Sequence, residues 1–549
     1  MNIITFRSKV IILALFSLFS LPLFPLPSEA LNVYGLKGLK TDVESKVYDI
    51  SISGNENQSI LQNGTFYSSD FTIANREKIL NGCDFEWLIN FRNTDDPLVD
   101  EKDTHLLKFY TKIGKPKLFR VEFGDIYSNF SRYSLTSNLE GLQGSYQFNF
   151  SPSYYIKPLF VISRSKRAIS SEHYARYVMG GRLEAGSVNK GAVIGLNFSK
   201  NWDDTGSIDN DDLPAGNNFS PDENYVYSIN AKFQKNSLWK IKRIAVDAEA
   251  ATSRFNDDKD DSSVSTRNDW AFRSSIIGTL INGLRFDVGY EKVQPDFHTN
   301  AGSAPVDQQL FRTNLNYNIY NWLQLRGGYK TYRNNLKGQL ENTQRSYMPH
   351  LSVTLLPTKE LSLEFLYRYN YIDSATHDPR NYRNTYTATG RYSLKKVYMS
   401  ITGEYEEFEN KADKTTDSKR DMVSLSAGLR EMGLGWQIKL WPSLTYSLCR
   451  DKYTYSNDTD IFNHLRFNTR LDYNRFLIFN GGLSIADNNR AATSSDSSKV
   501  GWFFELTAQP ENRFGIDFNI KYEDRDNRHD DSNREYREKI GTASCRFKF

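Results

Sequence analysis

The sequence predicts an all-β fold: a large antiparallel up-and-down transmembrane β-barrel of 24 to 26 strands. Three observations carry this expectation. Apolar or aromatic residues recur at every second position through most of the chain, short and long connections take turns along it, and it stops on Phe549 at the end of one more alternating segment.

The alternation is clearest in Leu361, Leu363, Phe365, Tyr367, Tyr369 and Tyr371, with Ser362, Glu364, Arg368 and Asn370 between them. Successive side chains of a strand point to opposite faces, so such a segment has one oily face and one wet face. Counting back from Phe549 places strands at 535–549, 513–523, 499–508, 476–487, 462–474, 435–450, 420–432, 396–408, 382–394, 360–373, 345–356, 322–333, 308–319, 284–294, 268–281, 239–253, 223–234, 190–202, 174–186, 153–164, 139–150, 117–124, 104–114 and 82–92. Two further candidates lie near 42–53 and 66–74, where residues 31–74 could instead form a short periplasmic extension.

The connections separate a barrel from a soluble sandwich. Asn282-Gly283, Tyr320-Asn321, Lys395-Lys396 and Asn474-Arg475 are minimal, whereas Asp203 to Asp222, Phe255 to Arg267, Glu409 to Lys419 and Asp524 to Arg534 are long and acidic. Short turns on one side and long loops on the other are the pattern of outer-membrane barrels. The last strand resembles the segment by which such barrels are recognised for assembly: Gly541, Ala543, Cys545, Phe547 and Phe549 share one face, so Phe547 and Phe549 are the expected assembly signal. The resemblance covers about ten residues and implies a Gram-negative outer-membrane β-barrel.

Composition agrees. The chain is 39% hydrophobic but 14% aromatic, with 33 Tyr and 35 Phe. Past the N-terminus no segment has the roughly 18 apolar residues of a spanning helix, whereas barrel strands expose a single apolar face and average out in hydropathy. Residues 1–30 read as a secretory signal peptide: Arg7 and Lys9, then a mainly apolar run from Val10 to Phe24, then Ser28-Glu29-Ala30. Leu31 stands where a lipoprotein would have cysteine. Residues 31–549 are then barrel, exported to the outer membrane of a Gram-negative bacterium. Single thiols on strands are the expectation for Cys83, Cys449 and Cys545, with a Cys83–Cys545 bridge at the periplasmic rim as the alternative.

Residues between the lipid-facing ones should line the lumen. Arg243, Arg273, Arg285, Arg312, Arg326, Arg368, Arg391, Arg430 and Arg470 do so, with Glu291, Glu364 and Glu404 among the acids. They read first as hydrated wall charges that pair with one another, and second as a mildly anion-preferring pore. The segment Gly124 to Asn138 is aromatic where its siblings are acidic, and Asp125, Tyr127, Phe130, Arg132 and Tyr133 make it a candidate constriction loop that folds inward or packs over the rim. Packing over the rim is the simpler expectation. The carboxylates Asp257, Asp258, Asp260 and Asp261 could meet divalent cations but fit no calcium loop, so a solvated loop is expected.

No catalytic or cofactor motif is present. The seven histidines, at 105, 173, 298, 350, 377, 464 and 529, are scattered, and His350 with Ser352 is the one neighbouring nucleophile–base pair, without a third group. No metal site or resident cofactor is implied. With net charge +3 nothing suggests nucleic acid. The expected partners are outer-membrane lipid and lipopolysaccharide, the barrel-assembly machinery and a lumen-filling or periplasmic protein. Strands beginning by residue 82 leave little chain for the plug of an energised receptor or an autotransporter passenger. The resemblance to outer-membrane barrels thus implies a large porin-like channel for small polar solutes. As the alternative, size and the absence of a plug resemble the barrel subunit of porin–cytochrome conduits, which sheathes a multihaem cytochrome.

Overall fold

The computed structural model describes residues 38–549, apart from 80–81, 101, 170–171, 188, 190, 209–218, 281–282, 341, 375–379, 475, 492–494, 511–514 and Phe549. The signal-peptide expectation for 1–30 and the terminal Phe549 therefore lie outside the described residues.

The chain forms one closed antiparallel wall of 26 strands, each paired with its neighbours in sequence. The first strand, Leu39–Gly54, closes the ring on the last, Tyr536–Lys548, in a register running from Asp42↔Lys548 to Gly54↔Tyr536. The two candidates near 42–53 and 66–74 are full strands, Leu39–Gly54 and Gly64–Ile79, and they set the count at 26. Two strands are interrupted: Leu135–Tyr146 resumes as Phe148–Asn149 on the same partner, and Ser418–Leu429 resumes as Met432–Gly433.

Period-2 alternation decides which face meets lipid. On Ala192–Asp204, Ile194 and Leu196 are exposed outward while Asn197, Ser199 and Asn201 are buried on the inner side. A belt of exposed apolar side chains runs round the wall through Phe160, Ile162, Tyr227, Ile229, Leu315, Phe365, Ile401 and Leu444. Tyr146, Phe148, Tyr154, Trp239, Tyr320, Trp322, Tyr392 and Trp436 cluster at the short-turn ends. Amphipathic rings at that level suit the membrane–water interface, where one edge meets lipid and the other meets water. Among the described residues no helix is long and apolar enough to cross a membrane.

All three cysteines are free. The bridge between Cys83 and Cys545 is ruled out by strand order: Cys545 lies opposite Ser45 and Cys83 opposite Ile79, with two whole strands between them. At ~4.8 Å per strand the two are ~14 Å apart, twice the span a disulfide tolerates.

Candidate functional site: a hairpin folded into the lumen

The segment expected as a loop at 124–138 is a β-hairpin. Phe119–Ser131 and Leu135–Tyr146 pair with each other from Phe119↔Tyr146 to Ser131↔Leu135. The hairpin leaves the wall on both sides. Pairing with the preceding strand, Thr104–Lys115, ends at Tyr110↔Gly124, and pairing with the following one, Tyr154–Lys166, ends at Glu140↔Arg164. Gly124 makes the departure possible: its φ is +97°, and a Cβ there would lie 2.1 Å from the Phe109 carbonyl oxygen. Just beyond it, the Phe109 amide donates to Asp125 Oδ2 at 2.5 Å, so a side chain replaces the missing ladder bond.

The freed hairpin lies against the inner face of the wall rather than over the rim. Ile126, Phe130, Leu135 and Leu139 form a buried cluster with Val161, Val178 and Ala301. Tyr133, fully buried at the tip, packs with Val226, Ala251, Ala271, Val293 and Phe297, its ring edge-on to Phe297 at 5.6 Å. Burying each of these large side chains contributes about 1.5–3 kcal/mol. Hydrogen bonds fix the depth. Glu249, with no side-chain exposure, accepts from the amides of Arg132 at 3.2 Å and Tyr133 at 3.0 Å, and Arg273 Nε holds it from the other side at 3.2 Å. The Tyr133 hydroxyl donates to Glu291 at 2.8 Å, and Arg132 pairs with the same carboxylate at 3.2 Å. Ser199 donates to the Ser134 carbonyl at 2.7 Å, and Arg182 to that of Phe130.

A second outer segment, residues 294–307, clamps the tip from above. The Thr136 amide donates to the Ala301 carbonyl at 2.7 Å, the Ser303 amide to the Arg132 carbonyl at 2.7 Å, and the Thr299 hydroxyl to the Tyr133 carbonyl at 2.7 Å. This clamp is seated through His298, which stacks on Phe255 at 4.3 Å and whose amide donates to Ser253 at 3.0 Å. Burial, with the Arg267 charge second, holds the His298 imidazole below its ordinary pKa of 6.5. A base with a lowered folded-state pKa contributes full stability above 6.5 and loses it as the pH falls below that value, because the released state binds the proton more readily. We expect the clamp to loosen between neutral pH and pH 5. Trypsin cleavage after Arg132 in detergent-solubilised barrel should accelerate over that range, after correction for trypsin's own pH dependence, and H298F should be flat. Equal acceleration in H298F would show that another group titrates.

Of the five expected constriction residues, Asp125 and Arg132 anchor, Phe130 and Tyr133 are buried against the wall, and Tyr127, 56% exposed, projects from the hairpin's free face. Alternation places Glu249 on the lumen face but does not show it as the hairpin's anchor, and Ser199 and the 294–307 clamp carry no signal of their role in the sequence. A signal of the hairpin's seat was present: lumen positions are apolar at Val161, Val178, Val226, Ala251, Ala271 and Val293, where a wet wall would carry polar groups, so something had to cover them.

Elsewhere several of the expected wall charges pair with one another or with neighbouring acids: Arg368 with Glu404 at 3.8 Å, Arg391 with Glu364 at 3.4 Å, Arg470 with Asp472 at 2.7 Å, and Arg273 with Asp247 at 3.2 Å. Arg430 lies just past its strand and donates to Ser393. Ser352 donates to Glu364 at 3.3 Å and makes no hydrogen bond with His350 among the described residues. In the acidic loop Asp258 accepts from the amides of Asp260 and Asp261, Asp257 pairs with Arg267 at 2.6 Å, and no group of three potential metal ligands occurs among the described residues. Phe547 faces outward on the last strand, opposite Val43 and Ile516.

A closed antiparallel wall with an exposed apolar belt, short turns at one end, long loops at the other and a charged interior defines the class: this is an outer-membrane-type β-barrel. Neither known protein-family profiles nor curated protein sequences give a match. Among solved structures it is similar to the siderophore receptor PirA from Pseudomonas aeruginosa, at 11% identity over 93% of this chain and 80% of that one, TM-score 0.39. It is similar to the outer-membrane transporter YddB from Escherichia coli at 8% identity over 93% and 81%, TM-score 0.43. A third similar structure is OccK5 (OpdH) from P. aeruginosa, at 12% over 60% and 94%, TM-score 0.29.

Proposed function

We propose that the protein sits in the outer membrane of a Gram-negative bacterium as a porin-like channel for small polar solutes, which diffuse through a lumen narrowed by the inward hairpin. The observation that carries this reading is the hairpin itself. Two strands leave the wall at mid-height, bury an aromatic tip on the inner face and are clamped there, which makes a fixed obstruction in an otherwise wet, charged interior. Tyr127 and Asn129 on its free face are the groups a passing solute would meet.

One observation favours a second reading, a sheath for a partner such as a multihaem cytochrome. A round wall of 26 strands is about 50 Å across between backbones, from the strand spacing and tilt, and the hairpin covers one side of it. A space so wide accommodates a folded partner. Conductance of the purified barrel in planar bilayers separates the two. The channel reading expects single-channel steps from the protein alone that scale with salt. Absence of steps, together with haem absorbance co-purifying from native membranes, would replace it by the sheath. Heat-modifiable migration on gels tests the barrel premise beneath both.

A further inference from the structure

Most cations of the lumen wall are neutralised by carboxylates, but on four of the five strands between Ile241 and Asn334 some are not, while Arg273 on the fifth pairs with Asp247 and Glu249. Arg243 on Ile241–Asn256, Arg285 on Arg285–Val293, and Arg326 and Lys330 on Leu323–Asn334 are exposed and have no ion-pair partner among the described residues. Arg312 on Gln308–Tyr320 reaches Asp287 only at 4.0 Å. The register brings them together. Arg243 lies opposite Thr279, which lies opposite Arg285; Arg285 lies opposite Asn316, which lies opposite Arg326. Arg243, Arg285 and Arg326 therefore share one row, on alternate strands about 10 Å apart. Arg312 and Lys330 are direct cross-strand partners a little higher on the same wall.

Like charges placed side by side repel, so a wall built only for stability would intersperse acids among them, as this one does elsewhere. Half-way round the ring, Arg546 sits between Asp42 at 2.5 Å and Glu44 at 3.6 Å. At the foot of the basic row is a cavity of about 850 Å³ lined by Arg243, Arg285, Lys242, Thr279, Asn236 and Ser237. Its volume falls in the range of small-ligand sites, and its lining combines cations and neutral hydrogen-bonding groups with apolar surface at Ala245, Ile277 and Gly278. Of the lumen-facing acids on the same two strands as Arg243 and Arg285, Glu249 and Glu291 lie six residues, or about 20 Å, further along and are engaged by the hairpin, Asp247 is held by Arg273 at 3.2 Å, and Asp287 approaches Arg312 at 4.0 Å. None of these acids forms an ion pair with Arg243, Arg285 or Arg326 among the described residues.

We propose that Arg243, Arg285, Arg312, Arg326 and Lys330 form a binding site, on the periplasmic side of the hairpin, for small oxyanions carrying two or more negative charges. Guanidinium forks match phosphate and carboxylate oxygens in pairs, and a multivalent anion can engage two or three of them at once. This deepens the channel reading by giving its solutes a class, and it rests on that reading only for transport, not for binding.

The test is calorimetric titration of the detergent-solubilised, heat-modifiable full-length barrel with pyrophosphate and with citrate at low salt. Both should bind, with affinity falling as salt rises. The double variant R243E/R285E should weaken both about tenfold or more, the loss of at least one charge-assisted hydrogen bond. Should that variant not fold, R243Q/R285Q serves in its place. Arg466→Glu, an exposed cation on another part of the wall, should leave binding unchanged. Absence of binding by the unaltered protein, or an equal loss with Arg466→Glu, would overturn the site. Conduction without binding removes the site and leaves the channel; binding without conduction removes the channel and leaves the site.

Discussion

Replacing Glu249 by alanine is expected to free the inward hairpin. The substitution strands two backbone amides, those of Arg132 and Tyr133, and leaves Arg273 with Asp247 as its remaining carboxylate partner at 3.2 Å. Removing one partner of a fully buried, hydrogen-bonded charge costs about 3–5 kcal/mol, which shifts a local open–closed equilibrium by roughly two to three and a half orders of magnitude. The wall itself is held by backbone ladders that do not involve this carboxylate, so barrel assembly should survive. Arg132 at the hairpin tip offers the readout: trypsin should cleave after it far faster in Glu249→Ala than in the unaltered protein, with heat-modifiability unchanged. A slow, unaltered cleavage rate would mean that the two apolar clusters hold the hairpin without Glu249.

The second large effect is expected at the seam where the ring closes. Arg546 donates from Nε at 2.7 Å to Asp42, with Glu44 3.6 Å from its other amine. R546E would set three carboxylates together on the joint between the first and last strands. Like-charge juxtaposition of this kind costs several kcal/mol when desolvated and less here, because the side chains are 41% and 34% exposed. Refolding into the heat-modifiable form should be slowed several-fold. Adding Asp42→Arg should restore most of the rate, since the exchanged pair regains opposite charges. Failure of the double variant to recover would place the defect in side-chain packing rather than charge.

Most of the wall was legible in the sequence because alternation and connection length are local signals. The expected strands at 308–319 and 322–333 are Gln308–Tyr320 and Leu323–Asn334. The first strand was harder, since its inner face carries Asp42, Glu44 and Lys46 while its outer face offers only Val43, Ser45 and Val47. A strand with so weak an oily side reads as polar chain until closure on the last strand fixes it. The aromatic character of 124–138 marked the place of the lumenal obstruction, but not its form. Ile126, Ser128 and Phe130 alternate with Asp125, Tyr127 and Asn129, as in the strands beside them, and are set apart only because the segment is aromatic where its sibling loops are acidic. Which cations lack partners was not legible at all, because that depends on cross-strand register, and a slip of one residue would turn Arg285 from the lumen to lipid.

The inward turn of two strands also changes what the membrane meets. Below Gly124 the ring is continuous, whereas above it the strand segment 104–109 has no strand on that side, and the Phe109 amide is satisfied by Asp125. Hydrocarbon offers no hydrogen bonds to a bare strand edge. The outer leaflet is therefore expected to be locally thinned and hydrated beside residues 104–109, so that lipid packing around this barrel is uneven about its circumference.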